Sequence, residues 1–168
     1  MIINREFARA SHETFTIKPI AKLLDKYVLD GVGWADPFAG WNSKAQYTND
    51  HNPQRKTTYH LEAEEFCKLN ELSNLKGVLF DPPYSYRQVS EHYKLVGMKA
   101  TQKDTSYNFY NRVMEAIYKK IIQNGYAISF GWNSNGFGKQ RGFKIIEILI
   151  VAHGMHHNDT IVTVEQKL

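Results

Sequence analysis

Two segments of the chain carry apolar residues at three- and four-residue spacing, which predicts two amphipathic helices. Residues 17–28 form the first segment, with Thr16 in the N-cap position. Residues 107–124 form the second segment, and Gly125 follows it as a suitable C-terminal cap. A shorter helix is expected over residues 64–72.

Strands are expected where short apolar or β-branched runs end at proline, glycine or a polar cluster. The first run ends at Asp36, and the others cover residues 45–49, 57–60, 77–81, 126–131, 143–152 and 160–166. The last two runs are joined by a short polar turn, which is typical of an antiparallel pair. Helices and strands alternate before that pair. The predicted fold class is therefore α/β, a mostly parallel open sheet with helices on both faces and a C-terminal antiparallel hairpin.

Ligands in such sheets bind beyond the carboxyl ends of the strands. Asp36, Asp50, Asp81 and Asn133 each follow a predicted strand, so we expect all four at that edge. Residues 84–106 are polar, aromatic and basic, which favours a loop or partly helical lid over the same edge.

Composition narrows the class of protein. The chain has 168 residues, of which 42% are hydrophobic and 23% charged, as in a globular domain rather than a disordered or membrane chain. The longest apolar run, residues 145–152, is too short to span a bilayer, and residues 1–10 lack the apolar core of a secretory signal. One cysteine, Cys67, fits a reducing compartment, and the net charge of +4 permits a polyanionic partner.

The most specific chemical signal is Asp81-Pro82-Pro83-Tyr84, directly after an apolar strand. Two prolines keep the backbone stiff, so the Asp81 carboxylate and the Pro82 carbonyl can accept both protons of one amino group. Such hydrogen bonds would aim the lone pair of an aromatic amine at an electrophile, while Tyr84 offers a stacking face for the base. The alternative is a proline-stiffened turn with a capping aspartate.

Asp81 to Tyr84 also resembles the catalytic motif of amino-group DNA methyltransferases, in the form typical of N6-adenine enzymes. Residues 35–40 resemble the cofactor-binding motif of the same family, and residues 12–24 resemble its helix over the methionine end of the cofactor. Residues 129–133 and the closing hairpin are similar to small phage-type adenine methyltransferases. The resemblance covers most of the chain and implies a Rossmann-like class I methyltransferase fold with S-adenosyl-L-methionine as cofactor.

The resemblance also implies a set of site residues. Asp81, Pro82, Pro83 and Tyr84 are the expected catalytic residues. The residues expected to bind the cofactor are Phe15, Lys18, Pro19, Asp36, Pro37, Phe38, Gly40, Asp50 and Glu62. Asp50 could accept the ribose hydroxyls, or it could be an ordinary turn aspartate. Glu62 falls where the family places an acidic residue near the cofactor adenine, although acidic residues before a helix are also common caps.

The sequence departs from the family pattern in two places. Asp50 follows Asp36 by only 14 residues, which leaves little room for the usual helix between the first two strands. No segment is large enough for a separate target-recognition domain, so we expect one catalytic domain over residues 1–168 that reads bases through loops. The residues expected to contact nucleic acid are Tyr86, Arg87, Lys94, Lys99 and Lys103. The alternative for them is a solvated polar loop.

The predicted activity is that of a DNA adenine-N6 methyltransferase. An RNA base amino methyltransferase and a non-catalytic nucleic-acid-binding subunit of the same fold are the alternatives. DNA is the expected partner, with RNA as the alternative, together with a homodimer and no membrane. No metal is expected, because the turn of His153, His156, His157 and Asp159 matches no standard site. The expected location is the cytoplasm of a bacterial cell, or of the host if a phage encodes the protein.

Overall fold

The computed structural model describes residues 1–83, 107–154 and 157–168, which contain a seven-stranded sheet and three α-helices. The strands are β1 (Ile2–Phe7), β2 (Trp34–Asp36), β3 (Tyr47–Thr48), β4 (Leu75–Phe80), β5 (Ile121–Gly131), β6 (Phe143–Ala152) and β7 (Thr160–Lys167). The helices are α1 (Lys18–Tyr27), α2 (Ala63–Lys68) and α3 (Tyr107–Ile117), and 3-10 turns cover Thr14–Thr16, Tyr118–Lys120 and Lys139–Arg141.

The strand order is β1-β6-β7-β5-β4-β2-β3. Among the described strands β7 alone runs against its neighbours, since it is antiparallel to both β5 and β6 while the remaining pairs are parallel. The predicted mostly parallel sheet with a C-terminal antiparallel pair is confirmed. Because β2, β3, β4 and β5 point the same way, their carboxyl ends share one edge of the sheet.

Helices cover both faces of the sheet, as predicted. Ile20 of α1 and Ile128 of β5 belong to the apolar cluster on one face. Phe66 of α2 and Val113 of α3 belong to the cluster on the other face, together with Val78 of β4. Helix α1 begins close to its predicted start, but Thr16 does not cap it: the N-cap position is Ile17, and the Thr16 hydroxyl donates to the Glu13 carbonyl instead.

The predicted helix over residues 107–124 is wrong in its second half. Helix α3 ends at Ile117, and after one 3-10 turn the chain enters β5 at Ile121. Ile121 is buried and pairs with Leu75 of β4, so sheet pairing outweighs the helical spacing of its apolar residues. The backbone then bends at Asn124, which has a φ of 63°, and Gly125 lies inside the strand rather than at a helix end.

Other boundaries differ because short strands depend on their neighbours rather than on their own sequence. The run 45–49 forms only the two residues of β3, and the run 57–60 contributes a single bridge between Asn49 and Tyr59. The 64–72 helix spans Ala63–Lys68, and the 77–81 strand spans Leu75–Phe80. Strand β1 was not predicted: all six of its residues are exposed, so no alternation marks it, and it pairs with β6.

No helix joins β2 to β3, as the short interval between Asp36 and Asp50 predicts. The connection is a series of turns that leaves the carboxyl end of β2 and returns to the amino edge of the sheet, where the Gln46 N–H donates to the Gly31 carbonyl at 3.1 Å. In the described part of the chain, no helix is long and apolar enough to cross a membrane.

Candidate functional site

Three predicted acidic residues lie at the carboxyl edge of the sheet. Asp36 ends β2, Asp50 follows β3 and Asp81 follows β4, and these three strands are neighbours. Asn133 comes two residues after β5, the next strand along. The placement of these four residues at one edge, predicted from strand ends alone, is confirmed.

Asp36 is fully buried and shapes the turn that follows β2. One carboxylate oxygen accepts the Phe38 N–H at 3.0 Å, and the other accepts the Ser43 hydroxyl at 2.6 Å. Burial raises the pKa of Asp36 to about 7; the two hydrogen bonds oppose that rise, while the charges of Asp81 and Asp50 add to it. Asp36 therefore lies within electrostatic range of the Asp81 and Asp50 carboxylates.

Asp50 fastens two loops together. Its Oδ2 accepts the Gly40 N–H at 3.1 Å, and its Oδ1 accepts the Asn52 N–H at 2.8 Å. The bond to Asn52 is that of an ordinary turn aspartate, which was the alternative interpretation of Asp50. The bond to Gly40 connects the turn after β3 to the turn after β2. Gly40 has a φ of 57°, and a side chain at this position would meet no atom within 4 Å, so the turn is open there.

Asn49, which sequence reasoning missed, is the residue that joins the loops behind this edge. Its side-chain amide donates to the carbonyls of Pro37 and Leu61, at 3.1 and 3.0 Å, and its Oδ1 accepts the Leu61 N–H at 2.9 Å. Its backbone bonds to Asp36 and Ala39 on the neighbouring turn. No sequence signal distinguished Asn49 from the polar residues around it.

The Asp81-Pro82-Pro83 turn leaves the end of β4 with Pro82 buried and its neighbours half-buried. The Tyr110 hydroxyl of α3 donates to the Pro83 carbonyl, which ties this turn to α3. Phe80, just before this turn, lies edge-on to Phe38 and to Phe137, with ring centroids 5.5 Å apart in each pair. Tyr84, the fourth residue of the predicted motif, lies outside the described residues.

Glu165 was also missed, because it lies within the apolar pattern of the last strand. It is fully buried on β7, and its carboxylate accepts the N–H groups of Phe137 and Gly138 at 2.5 and 2.9 Å. Burial raises the pKa of this carboxyl against those two bonds. Arg141 donates to the Phe137 carbonyl at 2.9 Å, so the loop that carries Phe137 is held on both sides of its backbone.

The remaining residues expected to bind a cofactor occupy different environments. Phe15 is buried against Phe130, near the end of β5, with ring centroids 5.1 Å apart. Pro19 is buried in the first turn of α1, and Lys18 is exposed beside it. The Glu62 carboxylate lies 3.3 Å from Nδ1 of His51, and the Glu62 side chain does not cap α2.

The residues expected to contact nucleic acid, Tyr86, Arg87, Lys94, Lys99 and Lys103, lie outside the described residues, as does His156. His153 contacts the Ala8 carbonyl with Nδ1 and the Thr160 hydroxyl with Nε2, at 2.9 and 2.8 Å. Over residues 1–83, 107–154 and 157–168, no group of three or more His, Cys, Asp or Glu side chains is arranged to hold a metal ion.

The fold of the chain is similar to those of known methyltransferase structures. No family model matches the chain, and no curated protein matches it. The structure of TrmN from Thermus thermophilus matches 90% of the chain with a TM-score of 0.56 and 14% identity. A Haemophilus influenzae protein with a suggested methylase activity matches 90% of it, with a TM-score of 0.51 and 10% identity.

The match covers 95% of the Haemophilus protein but 49% of TrmN, so the chain spans about half the length of TrmN. At these identities the likeness concerns the fold. The chain has the Rossmann-like class I methyltransferase fold that its sequence predicts.

The raised pKa of Asp36 predicts an unusual dependence of stability on pH. Between its ordinary value of 3.8 and about 7, the folded protein binds a proton that the unfolded chain does not bind, so this group contributes less stability as pH rises through that range. Asp36→Asn keeps the shape and removes the charge. It should raise the free energy of unfolding at pH 8 by at most roughly 4 kcal/mol, with a much smaller gain near pH 4.

Urea unfolding at both pH values measures this difference. Asp30→Asn is the matched control, because Asp30 also accepts a backbone N–H but is exposed. If Asp36→Asn changes stability equally at both pH values, the buried Asp36 carboxyl does not titrate as its environment implies.

Proposed function

We propose that this protein transfers a methyl group from S-adenosyl-L-methionine to the exocyclic amino group of a nucleic-acid base, adenine N6 in DNA. The observation that carries the proposal is the position of Asp81-Pro82-Pro83. This turn leaves β4 directly beside the turn after β2, within a class I methyltransferase fold. The amine-binding turn and the cofactor turn of the predicted motifs therefore lie side by side.

The turns after β2 and β3 fit a nucleoside cofactor. Gly40 leaves space above the backbone, and the half-buried Phe38 belongs to the same turn, with its ring packed edge-on against Phe80. Each oxygen of Asp50 accepts one backbone N–H, and a carboxylate oxygen can accept a second bond, so ribose hydroxyls can still bind. Phe15, Lys18 and Pro19 would cover the methionine end, and Glu62 would lie near the adenine. When bound, the cofactor supplies a methyl group on a positively charged sulfur.

Asp81 and the Pro82 carbonyl are the proposed acceptors for the two amine protons. Hydrogen bonds to both protons favour the pyramidal amine and direct its lone pair toward the methyl carbon. As the nitrogen acquires positive charge it becomes acidic, so a carboxylate beside it stabilises the transition state more than the ground state. Tyr84 would hold the extruded base in line by stacking.

A covalent route through cysteine is not part of the proposal. Cys67 is the one cysteine of the chain, and it is fully buried in α2. Burial raises the pKa of its thiol, which disfavours the thiolate needed for nucleophilic attack. The amine therefore attacks the methyl group directly.

DNA is the proposed partner, held by phosphate and stacking contacts from Tyr86, Arg87, Lys94, Lys99 and Lys103. A homodimer would extend the contact surface of this small chain. Incubation with a labelled methyl donor and unmethylated DNA or RNA, followed by analysis of the modified nucleoside, tests the function. N6-methyladenine in DNA supports the proposal; methylated RNA alone would identify the RNA enzyme, and no transfer would favour a non-catalytic subunit.

Asp50→Ala should weaken binding of S-adenosylhomocysteine about 10-fold or more. It removes the proposed ribose acceptor and releases the Gly40 and Asn52 N–H groups that shape the pocket. Isothermal calorimetry measures the affinity. Asp30→Ala is the matched control, because Asp30 accepts the Val32 N–H at 3.0 Å before β2, at the opposite edge of the sheet. Unchanged affinity in a folded Asp50→Ala protein would contradict the placement of the ribose.

Asp81→Ala should lower the rate of methyl transfer by at least about 100-fold, the scale observed when one prearranged electrostatic partner is removed. Cofactor affinity should stay nearly the same, because Asp81 acts on the amine. Single-turnover transfer to an adenine-containing oligonucleotide measures the rate, and calorimetry measures the affinity. A wild-type rate in Asp81→Ala would leave the Asp81-Pro82-Pro83 turn with a structural role only.

A further inference from the structure

Trp41, which is exposed, and Arg55, which is half-buried, form an aromatic and cationic pair. Half of the Trp41 surface, 51%, is exposed, and the Arg55 guanidinium lies 4.3 Å from the centroid of its ring. The Nε of Arg55 is buried without a hydrogen-bond partner. Within the described residues, no carboxylate lies within salt-bridge distance of Arg55. The pair therefore presents a positive charge that no described acidic side chain compensates.

This pair lies at the rim of the proposed site. Trp41 follows Gly40, whose N–H donates to Oδ2 of Asp50. The N–H of Arg55 donates to the Asn52 carbonyl at 3.0 Å, and the N–H of Asn52 donates to Oδ1 of Asp50. One carboxylate therefore fastens both loops, which holds the indole and the guanidinium at the same edge as Asp81.

The exposure of Trp41 fits a ligand at this edge. Trp34, in β2, is buried, whereas Trp41 follows the carboxyl end of β2 and is half exposed. A large aromatic ring contributes most to stability when buried, and the half-exposed Trp41 ring is a face on which a ligand can stack.

We infer that Trp41 and Arg55 bind the nucleic-acid strand adjacent to the target base. An unpaired base would stack on the indole, while the Arg55 N–H groups donate to a phosphate of the same strand. Stacking on a side chain requires a base that has left the duplex, so the favoured ligand is single-stranded or locally opened nucleic acid. The inference rests on the proposed function, and it specifies the form of the substrate.

Fluorescence anisotropy with a labelled, adenine-containing single-stranded DNA oligonucleotide tests the inference. Trp41→Ala and Arg55→Ala should each weaken binding of the oligonucleotide about 10-fold or more. Arg55→Ala should also lower the number of counterions released on binding, measured from the slope of log affinity against log salt concentration, by about one. Calorimetry should show unchanged affinity for S-adenosylhomocysteine. Phe7→Ala and Arg5→Ala are matched controls that should change neither affinity. Phe7 is 76% exposed with the Arg5 guanidinium 5.4 Å from its ring, on β1 at the opposite side of the sheet.

Three results would overturn the inference. Oligonucleotide binding equal to wild type in both variants, or absent in the wild type, would remove Trp41 and Arg55 from the substrate surface. Weakened cofactor binding in either folded variant would place the pair in the cofactor pocket instead. Failure of the proposed function is distinct: the wild-type protein would bind the oligonucleotide in a Trp41-dependent way without methylating DNA or RNA.

Discussion

The buried amide of Asn49 is the constraint on which the carboxyl edge depends. Strands β2 and β3 have only three and two residues, so their ladder provides few bonds to hold the turns that follow. Asn49 compensates, because its side chain bonds to Pro37 and to both backbone groups of Leu61. The Asn49 side chain is buried and its bond to the Pro37 carbonyl is shielded from water, so a backbone group left unpaired there would cost about 1–3 kcal/mol.

A second polar contact stabilises the opposite flank of the Asp81-Pro82-Pro83 turn. Glu165 binds the loop that carries Phe137, and the Phe137 ring packs against Phe80 immediately before Asp81. A substitution at Gly136 would disturb this arrangement, since a Cβ there would lie 2.2 Å from the Glu165 carboxylate. Asn49 and Glu165 thus fix the turn indirectly, from elements on either side of it, before any ligand binds.

The sequence was informative where a local residue pattern forces a structure. Asp36-Pro37 and Asp81-Pro82 mark strand ends because proline cannot continue a ladder, and their shared edge follows from parallel topology. The sequence was uninformative where residues distant along the chain determine whether a segment forms a strand or a helix. Ile121 has helical spacing but pairs with Leu75, and β1 is exposed on both faces and exists through its pairing with β6. Asn49 and Glu165 owe their roles to the backbone groups around them, which their residue types do not reveal.

The buried carboxyl groups of the sheet differ in how their pKa values respond to their surroundings. At the site, burial raises the pKa of Asp36 and of Glu165, so acid neutralises carboxyls that are costly to keep charged and does not weaken folding there.

Glu147 of β6 behaves in the opposite way. Burial alone would raise its pKa, but hydrogen bonds from Lys26 and Tyr27, both at 2.6 Å, lower it overall. Its contribution to stability is present above its ordinary pKa and is lost as pH falls through the lowered value. Acid therefore weakens the attachment of α1 to β6. The two regions differ because Glu147 is held by the Lys26 ammonium and the Tyr27 hydroxyl, whereas Glu165 binds two backbone N–H groups and Asp36 binds one backbone N–H and the Ser43 hydroxyl.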